Sequence, residues 1–94
     1  MPKVVLQGYI IVPEKELELI INELENHRLL TWQEEGCLAF SVEQCSNNPC
    51  RFNVYEEFTD QAAFDIHQQR VKASLWGRVS QNAKRHYQIT NENN

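Results

Sequence analysis

The chain has 94 residues, a net charge of −4 and an apolar fraction of 41%. That length bounds it to one domain, and a domain so small buries only roughly 60–65% of the surface its unfolded chain exposes, so a second copy would help it. The charge argues against a nucleic-acid partner, which wants a basic stripe, and no apolar run approaches the ~20 residues of a membrane helix.

Residues 4–12, Val-Val-Leu-Gln-Gly-Tyr-Ile-Ile-Val, read as a central strand, with Gly8 marking a bulge or a close approach. Pro13 stops the ladder and suits a helix start, and Glu14, Glu16 and Glu18 favour the positive end of that helix. Leu17, Ile20, Ile21 and Leu24 recur at helical spacing, so a helix is expected over about 14–33. Its stripe continues either through Arg28 and Thr31 or through His27 and Leu30, and Gly36 ends it.

Residues 37–45 read as the second strand, with Leu38, Phe40 and Val42 on one face. The turn cluster Ser46-Asn47-Asn48-Pro49 folds the next strand, 51–58, back antiparallel. There Phe52, Val54, Glu56 and Phe58 share one face, and Asn53, Tyr55 and Glu57 the other. Cys37, Cys45 and Cys50 make an odd set without CxxC spacing; reduced thiols are expected, although Cys45 and Cys50 flank the turn. Thr59 or Asp60 caps a second helix, whose apolar pattern runs through Ala62, Ala63, Ile66, Val71, Leu75 and Val79 to about 82, with a break near 70–74. Arg70, Lys72, Arg78, Lys84 and Arg85 read as a solvated basic face. A short last strand is expected over 86–90 and a disordered tail over 91–94, leaving a core of about 4–90 in a single domain 1–94.

Strand, helix, hairpin, helix, strand is the ferredoxin-like split-βαβ order. The expected fold class is α+β: one antiparallel sheet with its helices on one face. Apolar side chains on the bare face would call for a cover, most simply a second copy's sheet. The N-terminus runs straight into a strand with no basic leader, so a cytoplasmic location is expected.

Glu56 alternates with Phe52, Val54 and Phe58, and a carboxylate on such a face needs a partner or a raised pKa. His67, two turns into the second helix, is the candidate partner; pairing would raise the His pKa and lower that of Glu56. Both residues also have a purely structural reading. His27 in the first helix either answers the helix dipole or faces a pocket. Trp32, Tyr55, Phe64 and Trp76 are core aromatics or stacking surfaces for a planar ligand, with Arg70 and Asn53 as its polar ends. The three histidines lack metal-ligand spacing on one element, and no phosphate loop or nucleophile motif is present.

Glu35-Gly36-Cys37-Leu38-x-Phe40, Asn48-Pro49, Phe52, Tyr55-Glu56-x-Phe58-x-Asp60, Ala63 and His67 together resemble the antibiotic biosynthesis monooxygenase domain family, with Glu35 in place of the proline of its E-P-G-C pattern. The resemblance implies a dimeric α+β barrel and, for characterised members, cofactor-independent oxygenation of aromatic phenols and quinols. Other relatives degrade haem or process a small signalling carbonyl compound. The expected protein is therefore a homodimeric, cofactor-free and metal-free monooxygenase on a small phenolic or quinol-like molecule. His67 would be the base, Glu56 its orienting group, and His27, Tyr55, Arg70 and Trp76 would line the pocket. A proton-transfer enzyme acting on a small carbonyl compound and a non-catalytic dimeric binding module are the rival readings.

Overall fold

The computed structural model describes residues 2–92. Strand β1 (Lys3–Ile11) leads through a single 3-10 turn (Glu14–Glu16) into helix α1 (Leu17–Trp32). The hairpin β2 (Cys37–Gln44) and β3 (Arg51–Phe58) follows, then α2 (Gln61–Ala73), the short α3 (Leu75–Val79) and β4 (Lys84–Glu92). The sheet order is β2-β3-β1-β4 and every pairing is antiparallel. This is the α+β split-βαβ fold that the element order implied.

The helices cover one sheet face. Alternation sends Val4, Leu6 and Ile10 of β1, Phe40 and Val42 of β2, and Phe52, Val54 and Phe58 of β3 into the core beneath them. On α1 the buried stripe is Ile20, Leu24, His27 and Thr31, so the helix continues its apolar face through His27 rather than Arg28. Arg28 instead donates to the Val42 carbonyl at 2.8 Å, and the Trp32 indole N–H donates to the Phe40 carbonyl at 3.3 Å. Two α1 side chains thus engage backbone acceptors of β2, an edge strand whose unpaired groups would otherwise invite another chain.

Asp60 caps α2, accepting from the Ala63 N–H at 2.9 Å. The break in the helical pattern falls at Ser74, which ends α2 and caps α3 by accepting from the Gly77 N–H at 3.1 Å. A Cβ on Gly77 would lie 2.2 Å from the Val71 carbonyl oxygen, so the tight corner that swings Trp76 inward needs glycine there.

Several expectations change. The buried face of α2 carries Phe64 and His67, while Ile66 is 65% exposed, because the stripe facing the sheet is Phe64-His67-Val71. A register shift between Cys37 and Ala39 leaves Leu38 off the core face and exposed. The last strand is nine residues long and takes in Asn91 and Glu92, because β1 offers partners along its whole length; Asn93 and Asn94 lie outside the described residues. The helix-free sheet face is largely polar rather than apolar. Gln7, Asn53, Ser41 and Glu43 are exposed there, the Arg51 guanidinium and the His86 ring flank Tyr9, and Val5 is already buried within the single chain. Among the described residues, no helix is long and apolar enough to cross a membrane, and no cluster of His, Cys, Asp and Glu is arranged to hold a metal ion.

Candidate functional site

Cross-strand register puts Glu56 in the middle of the sheet, opposite Leu6 on β1 and Phe40 on β2. The helix layer above delivers His67 from the buried face of α2 and His27 from that of α1. His67 is 2% exposed and Glu56 7%. The ring of His67 lies between two carboxylates. Its Nδ1 is 2.6 Å from Oε1 of Glu34, and its Nε2 is 3.6 Å from Oε1 of Glu56. The first contact is a short, charge-assisted hydrogen bond. The second exceeds hydrogen-bond length and is an electrostatic contact.

Glu34 follows the end of α1 and is itself clamped. Its Oε2 accepts from Arg70 Nε at 2.6 Å, and the same guanidinium donates to Thr31 Oγ1 at 2.8 Å. A carboxylate so held accepts the Nδ1 proton of His67 and fixes the tautomer whose Nε2 carries the free lone pair. That lone pair faces Glu56.

Burial governs the charge states. The Glu56 carboxyl is pushed up to about 7, first by desolvation and then by the neighbouring Glu34 charge. His67 is lowered: desolvation outweighs the opposing pull of the Glu34 hydrogen bond. These directions are the reverse of those expected from a simple His67–Glu56 ion pair, because the site is too dry to reward both charges. The pair at neutral pH is a neutral imidazole beside a carboxyl that keeps its proton well above the usual carboxylate range.

His27 stacks on Trp76, with ring centroids 4.8 Å apart and planes 5° from parallel, and meets Phe40 edge-on at 5.3 Å. Its pKa falls to about 3, by desolvation first and then by His67 and nearby arginines. Its Nδ1 is buried without a hydrogen-bond partner. Together His27, Phe40, Glu56, His67, Trp76 and Tyr87 surround much of a cavity of about 50 Å³. That is room for about three water molecules and well below the ~150 Å³ of a cavity that takes benzene.

Of the residues singled out in the sequence, the fold brings His67, Glu56, His27 and Trp76 together. Arg70 adjoins them through Glu34 and is no free solvated cation. Tyr55 is separated from the set. Alternation from Glu56 turns it to the helix-free face, where its hydroxyl donates to Glu57 Oε2 at 2.5 Å. Asn53 is exposed on that same face. Glu34, Thr31 and Tyr87 join the neighbourhood without having been singled out.

Residues 3–76 match the family described as antibiotic biosynthesis monooxygenase. No curated protein matches the chain. Among solved structures, a conserved protein of unknown function from Bacteroides thetaiotaomicron, described as a possible oxidoreductase, superposes with a TM-score of 0.81 at 18% identity, covering 96% of this chain and 97% of the other. A candidate antibiotic biosynthesis monooxygenase from Deinococcus radiodurans gives 0.76 at 19% identity over 97% and 91% of the two chains. A protein of Methanosarcina mazei gives 0.72 at 21% identity over 96% and 90%. These likenesses establish a shared fold. The family pattern also held the sign of Glu34: with Glu35 at the proline position, Glu34 stands where E-P-G-C has its glutamate.

Proposed function

This chain belongs to the antibiotic biosynthesis monooxygenase family, and on that premise we propose that it is a cofactor-independent monooxygenase of a small phenolic or quinol-like molecule. The observation that carries the reading is the buried His67, pinned through Nδ1 by Glu34 with its free nitrogen facing Glu56. A neutral imidazole in that tautomer takes the proton of a phenol, leaving an electron-rich anion that reacts with dioxygen. One oxygen atom enters the substrate and the other leaves as water, with both hydrogens of that water drawn from the substrate. Glu56, whose carboxyl keeps its proton well above the usual carboxylate range, supplies or holds a proton beside the ring. His27 and Trp76 offer flat surfaces for an aromatic substrate.

A ring larger than the cavity of about 50 Å³ enters only if side chains at its margin move. Tyr87 is one such residue: it lies on the edge strand β4 and is 36% exposed. The small volume favours a second reading, proton transfer on a small carbonyl compound by the same His67 and Glu56. Oxygen uptake with a panel of quinols separates the two. Uptake that is lost in a folded His67→Ala protein supports oxygenation. No uptake, together with deuterium incorporation into a carbonyl substrate in heavy water, supports proton transfer. Neither signal leaves a non-catalytic binding module.

The functional unit proposed is a homodimer with the two helix-free sheet faces opposed. That face is polar, so its interface would be hydrogen-bonded and wet rather than a dry apolar core. Light scattering giving one chain mass at micromolar concentration would rule the dimer out.

A further inference from the structure

Glu34 lines a second concavity, an open groove of about 540 Å³ between the end of α1, the start of β2 and the first turns of α2. Its other walls include Gly36, Phe58, Asp60, Ala63 and Ile66. His67 and Glu56 line the small cavity, and the two linings share no residue. The side chain of His67 is 3% exposed and that of Glu34 is 16% exposed. The hydrogen bond of 2.6 Å between them therefore joins a residue that lines the small cavity to one that lines the groove.

The geometry points to a proton route along that hydrogen bond: His67 exchanges its Nδ1 proton with bulk water by way of the Glu34 carboxylate and the groove, rather than by the cavity through which a substrate enters. The inference rests on His67 being the base of the proposed reaction. The protons balance as follows. Nε2 takes a proton from the substrate, and the ring becomes imidazolium. The Nδ1 proton passes to Glu34 Oε1 and from there to a water in the groove. The ring is left neutral with its proton on Nε2, the form that donates to a departing oxygen. When Nε2 gives that proton up, Nδ1 recovers one from the groove through Glu34, and the starting tautomer returns. A substrate that fills and dries the cavity would leave this route open, so one histidine alternates between base and acid without water on the substrate side.

The clamp by Arg70 supplies the control. In Glu34→Gln an amide replaces the carboxylate; it still offers an oxygen to Nδ1–H but cannot carry a proton, and it loses a good contact with Arg70. In Arg70→Met the same clamp is broken while the carboxylate stays. Nitrogen-edited NMR of the substrate-free protein reads the exchange of the His67 Nδ1 proton with water directly. Exchange should slow by about a hundredfold in Glu34→Gln, the low end of what a positioned acid–base group contributes. It should stay within about threefold of the wild-type rate in Arg70→Met, which keeps the proton-carrying group. Equal slowing in both variants would mean that Glu34 only holds the ring, and unchanged exchange in Glu34→Gln would mean that the proton leaves by the cavity; either overturns the route. Because no substrate is used, this result stands apart from the outcome of the oxygen-uptake test.

Discussion

The imidazole of His27 lies flat on the indole of Trp76, 4.8 Å between centroids and 5° from parallel. The contact joins α1 to α3 above the sheet and closes one side of the cavity. Trp76→Ala removes a side chain that is 6% exposed. It should cost about 3–5 kcal/mol, the usual range for a buried aromatic truncated to alanine. Trp76→Phe should recover much of this by keeping a ring on His27. Urea unfolding of the three proteins measures the difference.

His27 and Glu56 should shape the pH dependence of stability in opposite directions. Native Glu56 holds its proton up to about 7, against 4.5 for an ordinary Glu. Between those values the folded state binds more protons than the unfolded one, so this contribution is full below about 4.5 and lost as pH rises through about 7. The displacement corresponds to roughly 3 kcal/mol. His27, held neutral down to about 3 instead of 6.5, contributes stability that is present above 6.5 and lost as pH falls toward 3. His67 is lowered as well and adds to the acid-side loss. The two windows overlap between about 4.5 and 6.5, where the contributions offset each other, so urea midpoints should fall as pH drops below about 4.5 and change less from there to about pH 8. Glu56→Gln should leave a midpoint that rises with pH up to about 6.5, and His27→Leu should unmask a fall as pH rises from about 4.5 to 7, while the leucine also removes the orphaned Nδ1.

Cutting the clamp on His67 should destabilise the fold even where catalysis is not at issue. Glu34→Ala leaves the Nδ1–H of His67 and the Nε–H of Arg70 without their acceptor. The cost should be about 1–3 kcal/mol for the buried imidazole donor. Thr31→Val removes only the Arg70–Thr31 bond and should cost about 1 kcal/mol. Thermal unfolding of both variants checks the order.

Gly8 should not tolerate alanine. Its φ is +153°, and a Cβ there would sit 2.0 Å from the carbonyl oxygen of His86 on β4. The β1–β4 ladder would have to part at its middle, since Gly8 pairs with Tyr87. Gly8→Ala should lower stability by at least ~1–3 kcal/mol through backbone strain alone. Amide exchange should show the loss concentrated in β4.

The three cysteines are free in the structure. Titration of the denatured, unreduced protein should find three reactive thiols. A single reactive thiol would mean that two of them, such as Cys45 and Cys50 at either end of the hairpin turn, had been oxidised to a disulfide.

What the residues decide alone is the order and kind of the elements. Alternation in 51–58 separates Glu56 from Tyr55, and the turn cluster at 46–49 makes the hairpin. Thr59 or Asp60 starts the second helix and a break near 70–74 interrupts it, with the structure selecting Asp60 and Ser74. These are local signals, carried by residues within a few positions of each other. The partners of His67 are another matter. Glu34 and His67 are 33 positions apart, and only the packing of α2 across the end of α1 brings them within 2.6 Å. Which face of each helix turns inward was ambiguous wherever polar and apolar residues compete: the sheet took His27 and His67, and left Ile66 in solvent. A helix orients by the sum of its contacts, so one exposed isoleucine is offset by Phe64 and a clamped imidazole. The charge states were hidden for the same reason. Pairing alone would have charged both His67 and Glu56, but desolvation is set by the tertiary enclosure, and it reverses both shifts.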